Sequence, residues 1–177
     1  MKLAIFTLIL STLAAACIAC GTEDIFQPTP TYNSPVNKTP SGEVDIDEEL
    51  ELFVSLFMQD CKQRRTDCEY RLNKLKEIKV VDMPDLDKTD NEVVIGLCYD
   101  TLFSKRVHIN RAIIDYADRY LQALMYHELG HCMYGLDHLE ESDKLMSPSM
   151  PSFTVLMRDW GKLVEEMFTA IKEQHGP

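Results

Sequence analysis

Positive charge is scarce in this chain: 18 Lys and Arg stand against 29 Asp and Glu in 177 residues, a formal net charge of −11 at pH 7. No basic patch is left to neutralise phosphates, which excludes nucleic acid as a partner, and an acidic surface is repelled by anionic headgroups. Long apolar runs are missing too. The one candidate, Leu3 to Ala19, is interrupted by Thr7, Ser11 and Thr12 and gives way at once to polar sequence. It is too short for a membrane span, and with Lys2 ahead of it, it reads as a secretory signal. Residues 46–177 remain, enough for one modest domain and no more, expected to be a monomer. Histidine is also rare, with five in the chain, yet His127, His131 and His138 fall within one short stretch.

That stretch is His127-Glu128-Leu129-Gly130-His131-Cys132-Met133-Tyr134-Gly135-Leu136-Asp137-His138. On a helix, His127 and His131 differ by one turn plus about 40° and point the same way. Two imidazoles so arranged can share one metal ion, and zinc is the ion they suit. Glu128 lies about 100° round the helix, too far to ligate easily but placed to serve as a base toward a water activated there. The residues Tyr120-Leu121-Gln122-Ala123-Leu124-Met125-Tyr126 are largely apolar, so the helix is a buried one. Buried histidines beside a glutamate cost several kcal/mol, roughly, unless paired or metal-bound. Catalytic zinc usually takes three protein ligands. Gly135 can supply the positive φ that ends the helix, and His138 follows as the third ligand.

With Met146 in Lys144-Leu145-Met146-Ser147-Pro148, the pattern resembles the metzincin metalloproteases, whose signature is H-E-x-x-H-x-x-G-x-x-H followed by a methionine turn. Gly-Leu-Asp-His and its interval to Leu-Met-x-Pro are especially similar to matrix metalloproteases. The chain also looks like a set of small bacterial secreted or lipid-anchored proteins carrying His-Glu-Leu-Gly-His-Cys. It departs from the strict pattern by one residue inserted between His131 and Gly135, which lengthens the helix by about 1.5 Å and rotates its exit by about 100°. Asp137 then occupies the strict position of the third ligand and is the alternative to His138. His138 is preferred because its intervals to Gly135 and Met146 are both kept.

The resemblance implies a zinc-dependent endopeptidase acting on a peptide or protein substrate. Zn2+ would be held by His127, His131 and His138, Glu128 would be the general base, and Met146 a packing floor beneath the histidines. It further implies an edge strand that pairs with extended peptide, and specificity set by the segment after the Met-turn, Ser149 to Phe153. Tyr126 or Tyr134 could serve as an extra oxyanion donor if the fold brings one to the site. A different class is also open: a lipid-anchored binding or scaffolding protein that keeps zinc but does not cut. The retained Glu128 speaks against it, since a purely structural site needs no carboxylate there.

The chain's start bears on location. Ala14-Ala15-Ala16-Cys17-Ile18-Ala19-Cys20-Gly21 resembles a bacterial lipobox. Cys20 is the preferred lipidation site and Cys17 the alternative, giving residues 1–20 as signal peptide and an exported lipoprotein anchored in a membrane, periplasmic or at the cell surface. Several acyl chains on one cysteine suffice for stable anchoring. Residues 21–45, with Pro28, Pro30, Pro35 and Pro40 among Thr, Ser and Asn, read as an extended tether. The sequon at Asn37 is read as chance.

The expected fold is α+β, a small metzincin-like domain with a short mixed sheet, an active-site helix, a Met-turn and a C-terminal helix. Apolar spacing predicts helices over about Ile46–Gln59, Asp118–Tyr134 and Thr154–Glu173, and strands over Lys76–Val81, Glu92–Tyr99 and Arg106–Arg111. His108-Asn110 is the candidate for the edge strand. His108, alternating with Val107 and Ile109, is expected at the rim or in solvent, and His175 exposed in a polar tail. Four cysteines of an exported domain permit three disulfide pairings. Cys132 points to another face than His131 and Cys98 ends the strand that should lie against the helix, which suggests Cys98–Cys132 with Cys61–Cys68 as a local clasp. Four buried thiols are the alternative. The clasp requires the first helix to stop before Cys68, because seven helical residues span about 10 Å.

Overall fold

Leu50, Phe53, Val54, Phe57 and Met58 recur at the spacing that puts them on one face of a helix, and together with Cys61 they form the buried side of the first one. The computed structural model describes residues 44–65, 67–83, 94–101 and 104–176. The expected signal over 1–20, Cys17, Cys20, Asn37, the tether as far as residue 43, and Glu92 and Val93 of the second expected strand lie outside the described residues.

The elements run β1 (Asp45–Ile46), α1 (Glu48–Lys62), α2 (Cys68–Leu72), β2 (Leu75–Val81), β3 (Gly96–Asp100), β4 (Lys105–Asn110), a 3-10 turn (Arg111–Ile113), α3 (Asp118–Tyr134) and α4 (Phe153–His175). The described residues form a mixed α+β fold with four helices and a four-stranded sheet in the order β1-β2-β4-β3. β1, β2 and β4 are parallel, and β3 returns antiparallel along β4, pairing Gly96 with Ile109 and Cys98 with Val107. Ile78, Val80, Val107 and Ile109 alternate onto the buried face. Against that core lies α3, which touches β3 and β4 on one side and α1 and α4 on others. Every residue from Leu121 to Gly130 is therefore buried, and the helix shows no polar stripe. Among the described residues, no helix is long and apolar enough to cross a membrane.

Asp45, read as the last residue of the tether, is already in the sheet, pairing with Glu77. The sequence also places His108-Asn110 on the edge strand, and this needs correction. β4 has neighbours on both sides, and the edge next to it is β3. The expectation followed chain order, taking the strand just upstream of α3 as the outermost, but β3 folds back outside it. His108 is half-buried there, with Nε2 3.2 Å from Glu77 Oε1 and its ring 5.0 Å from that of Tyr99. His175 is exposed, as expected, but is not in a free tail. It ends α4, and its Nε2 donates to the carbonyl of Tyr134.

α1 stops at Lys62, and the Cα atoms of Cys61 and Cys68 come within 6.0 Å, joined by a disulfide. A second disulfide joins Cys98 of β3 to Cys132 of α3, with Cα atoms 5.4 Å apart.

Candidate metal centre

The first two histidines stand on α3 because its apolar positions bury it from Leu121 onward, and the helix carries His127 and His131 into the interior at a separation of one turn. The helix ends at Gly135, which adopts φ 63° and ψ 32°, a left-handed conformation costly for other residues. Its N–H donates to the His131 carbonyl, and the Leu136 N–H donates to that of Gly130. Buried Leu136 then anchors the chain as it turns back, so that His138 comes to lie over the other two rings. Ring centroids of His127, His131 and His138 are separated by 4.6 to 5.1 Å.

The three imidazoles offer ligand atoms that all lie within 4.8 Å of one another, and they are the one such group among the described residues. His127 is buried, His131 half-buried and His138 exposed, so the cluster opens to solvent on the His138 side. Asp137 is exposed and not part of the group.

Tautomers follow from the backbone. His127 Nδ1 donates to the carbonyl of Leu145 at 2.6 Å, and His131 Nδ1 to that of Leu136. A carbonyl oxygen only accepts, so both Nδ1 atoms carry the proton. Burial pushes the His127 pKa down to about 4, and burial lowers that of His131 as well, so both rings are neutral near pH 7. Their Nε2 lone pairs then face each other at 3.0 Å with no proton between them, and His138 Nε2 lies 3.2 Å from that of His127. Converging ring nitrogens, two of them on neutral imidazoles oriented by an outer carbonyl, are the donor set of a metal site. The group can hold a metal ion.

Glu128 is 4% exposed, and burial alone raises its carboxyl to about 8. Among the described residues its carboxylate accepts no hydrogen bond. It rests instead on β3, where Gly96 leaves space for it. Met146 is buried, and its sulfur meets Gly130 on α3, between the two helical histidines in sequence. The Met146 carbonyl accepts from Leu139 N–H, which ties the methionine turn to the residue after His138.

Neither tyrosine reaches the cluster. Tyr126 OH donates to Asp60 at 2.6 Å, and Tyr134 OH lies 3.0 Å from Cys61 Sγ, both facing α1. Within Ser149 to Phe153, the Ser152 side chain caps α4 by accepting from Val155 N–H, and Phe153 is half-exposed. Sequence reasoning missed the carbonyls of Leu136 and Leu145 and the seat at Gly96. The carbonyls have no residue signature, and the only hint of the seat was a glycine inside an apolar strand.

No protein family model matches this chain, and comparison with characterised proteins and with solved structures finds nothing similar.

Proposed function

We propose that this chain is a zinc endopeptidase of the metzincin type, with His127, His131 and His138 as the metal ligands and Glu128 as the general base. The observation that carries the reading is the facing of the neutral His127 and His131 Nε2 lone pairs, with His138 Nε2 at 3.2 Å, next in sequence to a buried carboxylate that has no hydrogen-bond partner among the described residues. Nitrogens sharing a tetrahedral zinc at roughly 2.0–2.1 Å lie about 3.3 Å apart, close to the 3.0 and 3.2 Å found here. Three imidazoles with one open side are also the donor set of catalytic zinc, whereas structural sites are closed by four ligands.

When bound, zinc supplies Lewis acidity, polarising a carbonyl and acidifying water. Glu128 removes the proton from the attacking water at its carboxylate oxygen and passes it to the leaving amine. A carboxyl that burial raises to about 8 holds a proton readily, and a cation nearby draws it back toward the ionised form a base requires. Met146 packs against α3 and takes no part in proton transfer.

The edge of β3 suits an extended substrate. Asn110 N–H donates to the Ile95 carbonyl, so by the alternation of antiparallel ladders Gly96 and Cys98 turn their N–H and C=O groups away from β4. A peptide adding there as a further strand would run beside Glu128.

Metal analysis of the purified protein is expected to find one equivalent of zinc. Glu128→Ala should keep the zinc and the fold while losing ~10²–10⁴-fold in peptide hydrolysis. Comparable cleavage by both forms would remove Glu128 as the base. No cleavage by the wild type across a broad peptide library, despite full zinc, would favour a non-catalytic zinc-containing binding or scaffolding protein.

A further inference from the structure

β3 carries glycine at Gly96, where an apolar or β-branched residue would make a better strand. Its backbone does not require glycine, because the positive-φ glycines among the described residues are Gly135 and Gly176. Space is what requires it. A methyl carbon at Gly96 would sit 2.4 Å from Glu128 Oε1 and 2.9 Å from both its Cδ and Cγ.

We propose that Gly96 is a positioning residue for Glu128: the missing side chain at this point of the edge strand forms the seat that fixes where the carboxylate lies. The inference rests on the reading of Glu128 as the base. β3 has little freedom to yield. One side is laddered to β4, with Gly96 opposite Ile109, and two residues on, Cys98 is tied by its disulfide to Cys132 on α3. The element that carries Glu128 therefore also holds the strand against it. What must move is the glutamate side chain, its Cγ and Cδ as well as its carboxylate oxygen.

Gly96→Ala should therefore separate folding from chemistry. Ordinary contact begins near 3.4 Å, so the carboxylate must retreat by about 1 Å, a misplacement that costs about 10²-fold in rate. The test uses zinc-loaded protein. Expected for Gly96→Ala are one equivalent of zinc, a cooperatively folded protein, unchanged KM and a kcat lowered by about 10²-fold. Its crystal structure should show the Glu128 carboxylate shifted, with the rings of His127, His131 and His138 in place. Combining Gly96→Ala with Glu128→Asp should cost less than the product of the two single losses, because both withdraw the same carboxylate from the same seat.

An unmoved carboxylate, a strand that moves instead, an undiminished kcat, or fully multiplicative losses would each overturn the proposal. Should the wild type bind zinc yet cleave nothing, the endopeptidase reading fails by itself. The carboxylate position in the two structures still decides whether Gly96 seats it.

Discussion

At the level of single residues, each histidine of the cluster is held in a different way. His127 is fixed from the methionine turn through Leu145, His131 from the helix exit through Leu136, and His138 by the course of the chain after Gly135. The three histidines are legible in sequence because histidine is rare and the helical period is strict. The carbonyls that orient two of them are not, since every residue carries one and only the fold selects which is used. The choice between His138 and Asp137 also turns on the fold: a one-residue shift in where the helix ends decides which side chain comes back over the rings. This predicts an unequal pair. His138→Ala should weaken zinc binding by more than the ~10–100-fold that loss of an outer-shell partner costs, while Asp137→Ala should leave it unchanged. His127→Ala and His131→Ala should each abolish tight binding. Competition titration with a zinc chelator checks all four, and the reverse order at 137 and 138 would move the third ligand.

Among the elements, legibility follows length and period. The expected metal helix, Asp118–Tyr134, coincides with α3 at both ends, because an apolar run leads up to it and Gly135 stops it. α4 extends one residue earlier and two later than expected, and α1 begins and ends a few residues late. β1, with two residues, and α2, with five, are too short to carry a period, and neither was foreseen. The edge falls on β3 rather than on the strand of His108-Asn110, since hydrophobic alternation marks a strand but not its neighbours. Both disulfides join elements, and their loops differ in length. Cys98–Cys132 closes 34 residues and Cys61–Cys68 closes 7. Loop-closure entropy then assigns about 4 kcal/mol to the first and about 2 kcal/mol to the second. Replacing both cysteines of a pair by serine should lower the denaturation midpoint by more for Cys98 and Cys132 than for Cys61 and Cys68. Because the longer bridge also pins β3 beside Glu128, its loss should reduce kcat as well. Loss of the shorter should affect stability alone. Urea melts with parallel peptide assays distinguish the two, and equal effects on kcat would argue against β3 as part of the site.

Across the molecule, most carboxylates among the described residues lie in solvent, but one acidic side chain joins three parts of the fold. Asp67 accepts from Arg65 Nε at 2.8 Å and also from Arg71 Nε. Arg65 donates onward to the carbonyl of Gly176 past the end of α4, and Arg71 to that of Met133 at the end of α3. Both guanidiniums lie over the Tyr134 ring, at 5.4 and 4.6 Å. Hydrogen bonding from Arg65, and then from Arg71, holds the Asp67 carboxyl well below the usual carboxylate range despite the opposing effect of burial. A folded-state pKa below the unfolded one means that the unfolded chain binds the proton first as pH falls. The stabilisation is therefore complete above the unfolded aspartate value of about 3.9 and is lost as pH drops below it toward the depressed folded value. Any metal held by the histidine cluster would be released as the rings protonate and obscure this, so the measurement belongs to chelated protein. Urea midpoints taken from pH 7 downward should fall steeply through this acid window for the wild type. Asp67→Asn should be less stable at pH 7, yet its curve should be flatter across the same window, because no proton is taken up at that position. Parallel curves for the two proteins would show that the tie between α2 and the ends of α3 and α4 does not depend on the charge of Asp67.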